Sequence, residues 1–248
     1  MELINKKRAV VLFTASPEME TGKKLINLKK RNKKLFEIFQ SNISKTVNDA
    51  RKQISFDFVV SSDFTSNNSI RFGSYNILQS GKNFAERFEN TLHQMFSDKY
   101  EEVVIIGDDC VAFDSKLIID AFNKLSSNDY VVGPASDGGF YLLGLKYFQH
   151  ETFKNIQWQT SSVTNELITN ISNGGSTFQL LPVLSDIDSE YDLYEWLNSR
   201  SSKISLAYSQ IIKLLTEPIL FLKEIIFFIS SKSFSLHFSN LPPPAFCR

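Results

Sequence analysis

Cysteine is nearly absent. Cys110 and Cys247 are the only two in 248 residues, and their separation fits neither a metal spacing nor a disulfide framework, which points to a reducing, cytoplasmic compartment. An excess of one charge is also missing. The 27 basic and 27 acidic residues cancel, so no overall positive field exists to hold a nucleic-acid backbone, and nucleic acid is excluded as the principal partner. Long apolar runs are missing as well. Residues 1–8 lead into only five apolar positions, 9–13, too few for a secretory leader. In 218–229 the charges of Lys223 and Glu224 interrupt the apolar residues, whereas a membrane span needs roughly 20 apolar positions. No internal repeat is present. What remains is 42% apolar, enough for one large globular domain with a closed core.

The apolar pattern switches period along the chain. Residues 9–13 are continuous enough for a strand buried on both faces, which favours a parallel sheet. Leu25, Leu28, Leu35, Phe36, Ile38, Phe39, Ile43 and Val47 then recur at mostly three- and four-residue intervals, a helical period over 24–52. A strand is expected at 56–61, then a polar segment to 76 and a helix with Phe84, Phe88, Leu92, Met95 and Phe96 on one stripe. Strands are expected at 103–106 and 130–133, with a helix between them that Asp114 or Ser115 caps. An apolar segment at 140–145, a helix at 163–171, a strand near 179–184 and a helix at 189–199 complete the pattern. Ser189 with Asp192 resembles a capping box for the last helix. Strands alternating with helices specify a sheet covered on both faces, with right-handed crossovers. Two segments follow: a domain over 1–199, and a C-terminal extension over 200–248 that is rich in Ser, Phe, Ile and Leu and ends in three prolines.

Three acidic segments carry the candidate chemistry. Asp108 and Asp109 stand just past the apolar run 103–106, where an open α/β sheet binds ligands. One or two carboxylates suffice for Mg²⁺ or Mn²⁺, whose shell is completed by phosphates and water; an acid there equally caps a loop or helix. In Asp137-Gly138-Gly139 the glycines permit a sharp turn and close ligand approach, and the carboxylate can accept hydrogen bonds from sugar or ribose hydroxyls. The same Asp-Gly pair is a hairpin signature. Asp186, Asp188 and Asp192 open a helix, where acids suit the positive end. Cys110 has no histidine nearby and reads as a buried, inert thiol, and His93, His150 and His237 lie away from the acids. The lysine-rich stretch at 23–34 reads as a solvated helix face, or as a surface for anions.

In this order the motifs resemble those of a glycosyltransferase-A-like family of nucleotide-diphospho-sugar transferases, once catalogued as a domain of unknown function. Related patterns occur in sugar-phosphate and phospholactate nucleotidyltransferases of that fold. The family's Ile-Gly-x-Asp-Cys-Pro is matched at Ile106 to Val111, and its Gly-Pro-x-x-Asp-Gly-Gly-Tyr-Tyr-Leu at Gly133 to Leu142. Trp158-Gln159-Thr160 resembles its Trp-x-Thr. Asp186-Ile187-Asp188-Ser189 with Asp192-Leu193 is similar to its Asp-x-Asp-Thr and following Asp-Leu. Gln79-Ser80-Gly81 and Phe84-Ala85-Glu86-Arg87 resemble its Gln-x-Gly and Gly-x-Arg elements. The likeness spans residues 8–197. It departs at 17–25, where Glu18 and Glu20 enter a phosphate-binding turn, Gly22 is displaced, and Lys23 and Lys24 stand in for the family's cations.

The resemblance implies a three-layer α/β fold of nucleotide-diphospho-sugar transferase (GT-A-like) type, with a mainly parallel sheet and a C-terminal helical extension. It further implies Mg²⁺ or Mn²⁺ held by Asp109 and Asp188, and nucleotide contacts from Lys23, Gln79, Arg87 and Asp108. Gly138, Gly139, Trp158 and Thr160 would contact substrate, and Asp137 would serve as general base. The expected activity is glycosyl transfer from a nucleotide-diphosphate sugar to a small-molecule or lipid-linked acceptor. The alternatives are nucleotidyl transfer to a phosphorylated small molecule, or nucleotide-fold binding without catalysis. The apolar face at 219–228 needs a cover, supplied by the domain, by a second copy in a homodimer, or by a membrane surface to which the protein is peripheral.

Overall fold

In the computed structural model, the described residues are 6–15, 32–63, 75–108, 110, 112–185, 194, 196–198 and 208–214. Seven strands form one sheet: β1 (Arg8–Thr14), β2 (Asp57–Ser62), β3 (Tyr75–Leu78), β4 (Glu102–Ile106), β5 (Tyr130–Pro134), β6 (Phe140–Leu145) and β7 (Phe178–Leu180). Their order across it is β3-β2-β1-β4-β6-β5-β7. Helices α1 (Asn32–Arg51), α2 (Phe84–Ser97), α3 (Ser115–Leu125), α4 (His150–Phe153) and α5 (Val163–Asn173) supply the outer layers.

The period of two along each central strand divides the core. Val10 and Leu12 of β1 join Ile43 and Val47 of α1 and Ile118 and Phe122 of α3 on one face. Ala9 and Val11 join Leu92 and Met95 of α2 and Leu167 and Ile171 of α5 on the other. Each fully buried Val, Leu or Ile contributes about 1.5–3 kcal/mol of hydrophobic stabilisation. The result is the expected three-layer α/β fold, with β1 and β4 at its centre paired from Arg8↔Glu102 onward.

The structure departs from the sequence pattern in three places. The sheet is mainly parallel, but β6 runs antiparallel to both of its neighbours, because the glycine-rich turn at 135–139 closes a hairpin. Strand β3 falls at the end of the segment read as polar; only Ile77 of its four residues is buried, so it carries no alternation to detect. The short helix α4 begins at His150, between the expected elements at 140–145 and 163–171 where the sequence pattern marks none. The first helix is described from Asn32, and residues 24–31 lie outside the described residues. Beyond β7, Leu184 bridges Ala135, and residues 196–198 and 208–214 are helical. Trp196 is buried, with its ring 6.1 Å from that of Tyr208, and Ile211 is fully buried. The proposed cap at Ser189 and the apolar residues 219–228 lie outside the described residues. No helix among the described residues is long and apolar enough to cross a membrane.

Candidate active site

A cavity of about 540 Å³ opens at the carboxyl ends of β1 and β4, the edge at which such sheets bind ligands. Strand ends supply its floor: Phe13 and Thr14 from β1, Ile105 and Ile106 from β4, and Gly107 and Asp108 just beyond it. The first turn of α2 supplies Phe84, Arg87 and Phe88. Asn83 caps that helix, accepting from the Glu86 amide at 2.9 Å, while Glu86 accepts from the Lys82 amide at 2.7 Å. A register shift at Gly133/Pro134 marks where β5 leaves its ladder, and the turn that follows brings Asp137 to the rim. The segment from Trp158 to Ser161 forms the remaining wall.

Each polar side chain has a definable state. Asp108 is buried, and its Oδ2 accepts from the Thr14 hydroxyl and, at 3.2 Å, from Gln40 Nε2. Gln40 also donates to Thr14 Oγ1 at 3.2 Å, so α1 and two strand ends are tied at the cavity floor. Gln79 donates both amide hydrogens, to the Thr14 and Ser61 carbonyls at 3.0 Å each. Its carbonyl oxygen is therefore what it can offer a ligand, an acceptor suited to a hydroxyl or an N–H but not to phosphate. Arg87 shows the reverse. Its Nε is buried with no hydrogen-bond partner among the described residues, and it makes no ion pair among them.

The rim is held by backbone bonds. Asp137 is exposed, and its Oδ1 accepts from the Gly139 amide at 2.9 Å. Gly138 adopts φ of 95°, and a Cβ there would stand 2.0 Å from the Ser161 carbonyl oxygen; only glycine fits. Trp158 packs its indole 5.2 Å from both Phe84 and Phe88, and Phe140 adds an edge contact at 6.3 Å. The cavity thus has an aromatic side and a polar side.

Gln79, Arg87, Asp108, Asp137, Gly139, Trp158 and Thr160 all line this one cavity. Gly138 does not; it packs against the Ser161 backbone and shapes the turn. The hydroxyl of Thr160 is engaged by the Gln157 carbonyl at 2.7 Å and by Ser162 at 2.8 Å. Lys23, Asp109 and Asp188 lie outside the described residues, and among the described residues no three metal-binding side chains cluster. Among the described residues, the cavity lining holds oxygen donors and neither sulfur nor imidazole, a set suited to a hard cation such as Mg²⁺ or Mn²⁺.

With this geometry in hand, sequence similarity can be placed on it. Residues 49–160 match the bacterial family DUF2064, described as "uncharacterized protein conserved in bacteria". This bears out the resemblance drawn from the motifs, and the DUF2064 segment carries the cavity residues from Gln79 to Thr160. No curated protein matches the sequence. The crystal structure of a candidate nucleotide-diphospho-sugar transferase from Desulfovibrio desulfuricans G20 is similar, with 22% identity and a TM-score of 0.72, over 88% of this chain and 98% of that one. A cytidylyltransferase from Leptospira borgpetersenii aligns over 89% of this chain and 97% of its own, at 13% identity and a TM-score of 0.51. A 4-diphosphocytidyl-2C-methyl-D-erythritol synthase from Anaerococcus prevotii aligns over 77% and 96%, at 10% identity and 0.50. At these identities the likeness establishes the fold, that of the nucleotide-diphospho-sugar transferases.

Sequence reasoning missed Thr14, Gln40 and the share of Phe84 and Phe88 in the aromatic side of the cavity, of which it named only Trp158. Thr14 ends the first apolar run at a strand's carboxyl edge, which is a usable signal. Gln40 lies between Phe39 and Ile43 in a helix stripe, and a buried polar residue there is unusual enough to mark it. Phe84 and Phe88 were assigned to the core by their helical spacing, and they serve core and cavity together.

Proposed function

We propose that this chain is a transferase that uses a nucleotide-diphosphate sugar as donor, with Mg²⁺ or Mn²⁺. The observation that carries the reading is the meeting of Gln79, Arg87, Asp108, Asp137 and Trp158, from separate segments, in one cavity at the carboxyl edge of this fold. Arg87 binds the donor's phosphates through its charged fork, and the lack of a hydrogen-bond partner for its Nε among the described residues agrees with a site that takes an anion. Gln79 accepts a hydrogen bond from the nucleoside through its carbonyl oxygen. The aromatic side formed by Trp158 and Phe84 packs against the apolar face of a ring and excludes water there. Asp137, exposed and oriented by the Gly139 amide, takes the proton of the acceptor hydroxyl. Asp109 and Asp188 are the residues that would hold the cation, which when bound neutralises charge on the leaving diphosphate.

The test is a product assay. Incubation with nucleotide-diphosphate sugars and Mn²⁺ is expected to release nucleoside diphosphate. Release of pyrophosphate from a nucleoside triphosphate would select nucleotidyl transfer instead. Absence of any metal-dependent thermal shift with nucleotides would leave a non-catalytic binding protein. Asp109→Ala is expected to abolish metal-dependent nucleotide binding while the fold persists, which the same thermal melts would register.

A further inference from the structure

The turn that carries Asp137 and the segment that carries Trp158 are not held by their own backbones alone. Within the hairpin, Ala135 N donates to Gly139 O at 2.9 Å and Gly138 N to Ala135 O at 3.1 Å. Helix α5 adds two bonds from a single residue 25 positions further on. The Thr164 amide donates to the Gly138 carbonyl at 3.0 Å, and the Thr164 hydroxyl donates to the Gly139 carbonyl. Thr164 is buried and is not among the residues that line the cavity.

Two residues on, Glu166 holds the other segment. One of its carboxylate oxygens accepts from the Gln157 amide at 2.6 Å, and the other from the Ser162 hydroxyl at 2.8 Å. This is not a capping box, in which the acid would reach back only to the cap residue's own amide. Glu166 reaches past the cap to the residue before Trp158. Between these anchors Gln159 sits at φ of 65°, a left-handed conformation that a residue with a side chain keeps only when its surroundings impose it. The two segments also interlock directly, with Gly138 against the Ser161 backbone.

We infer that the first turn of α5 positions the site, with Thr164 fixing the Asp137 turn and Glu166 fixing the Trp158 segment so that the two form one rigid wall of the cavity. Neither residue lines the cavity; Thr164 acts through Gly139, which does, and Glu166 through Gln157 and Ser162, which flank the lining residues 158–161. The assignment rests on the proposed transferase reading for its catalytic consequence, but its structural content stands apart. A displacement of about 1 Å in such a wall slows reaction on the order of 100-fold when orientation limits the chemistry.

The experiment compares Thr164→Val, which keeps the shape and removes the hydroxyl, with Thr164→Ser, which keeps the hydroxyl, and with Glu166→Ala. Two readouts are taken: steady-state kinetics with a nucleotide-diphosphate sugar and Mn²⁺, and acrylamide quenching of Trp158 in a Trp196→Phe background, where it is the sole tryptophan. Thr164→Val is expected to lower kcat on the order of 10-fold or more with little change in donor KM, to raise Trp158 quenching, and to be largely restored by Thr164→Ser. Glu166→Ala is expected to raise quenching as well. Wild-type kcat in Thr164→Val, a change confined to KM, or a Thr164→Ser variant as impaired as the valine would overturn the inference. Should the unaltered protein turn over no nucleotide substrate, the transferase reading fails by itself, and quenching then decides: an unchanged Trp158 in Thr164→Val refutes the shared wall, and a more accessible one supports it.

Discussion

Arg87 carries a donor that no described residue accepts from. A buried N–H without a partner costs about 1–3 kcal/mol, and the Nε of Arg87 is in that position. Arg87→Met should therefore leave stability within about 1 kcal/mol of the parent, while nucleotide affinity falls on the order of 10-fold through loss of a charge-assisted contact. Urea melts and calorimetric titration measure the two separately. Gly138 gives the opposite signature: Gly138→Ala places a methyl group 2.0 Å from the Ser161 oxygen at φ of 95° and should cost about 3 kcal/mol or more, visible as a lowered urea midpoint. The identity of Arg87 and of the Asp137 turn was legible because each belongs to a motif with fixed spacing. The contribution of Gln40 was not, since its partners Thr14 and Asp108 lie 26 and 68 residues away and no local pattern records a tertiary hydrogen bond.

The elements behave as their ends dictate. Helix α3 begins at Asp114, whose Oδ1 accepts from the Lys116 and Leu117 amides at 3.0 and 3.2 Å. Asp114→Ala should cost about 1 kcal/mol, read from urea unfolding, with the cavity's ligand affinity unchanged. Strand β7 is an edge of the sheet and is tied in by Asp129, whose Oδ2 accepts from the Thr177 hydroxyl at 2.6 Å and the Thr177 amide at 2.8 Å. These bonds hold the Asp129 carboxyl below its ordinary 3.8. A depressed value means that the stabilisation is complete above the unfolded-state pKa and is lost as pH falls through the folded-state one. The Thr177 amide resonance should therefore move as pH drops below 3.8, and Asp129→Asn should weaken that dependence. The long elements were readable from their periods, because α2, α3 and α5 each present one apolar stripe to the sheet. Strand β3 was not, because it is four residues long and, among the described residues, pairs only with β2.

Across the whole molecule, the layered architecture followed from alternation of strand and helix, and the two apolar faces of β1 and β4 account for it. The direction of β6 did not follow, because apolar content does not distinguish a strand that returns through a hairpin from one that arrives by a crossover. That reversal also has a bearing on the order in which the native state is assembled. Strands β5 and β6 meet across a turn that joins Pro134 to Phe140, a contact between near neighbours in the chain, whereas β1 reaches β4 only by bringing together Arg8 and Glu102, 94 positions apart. Loop closure of that length is slow relative to hairpin formation. During refolding, amides of the β5–β6 ladder should gain protection from exchange before those of the β1–β4 ladder. The segment bearing Asp137 would then exist as an early, self-contained piece, and the completed cavity would be among the last features to form.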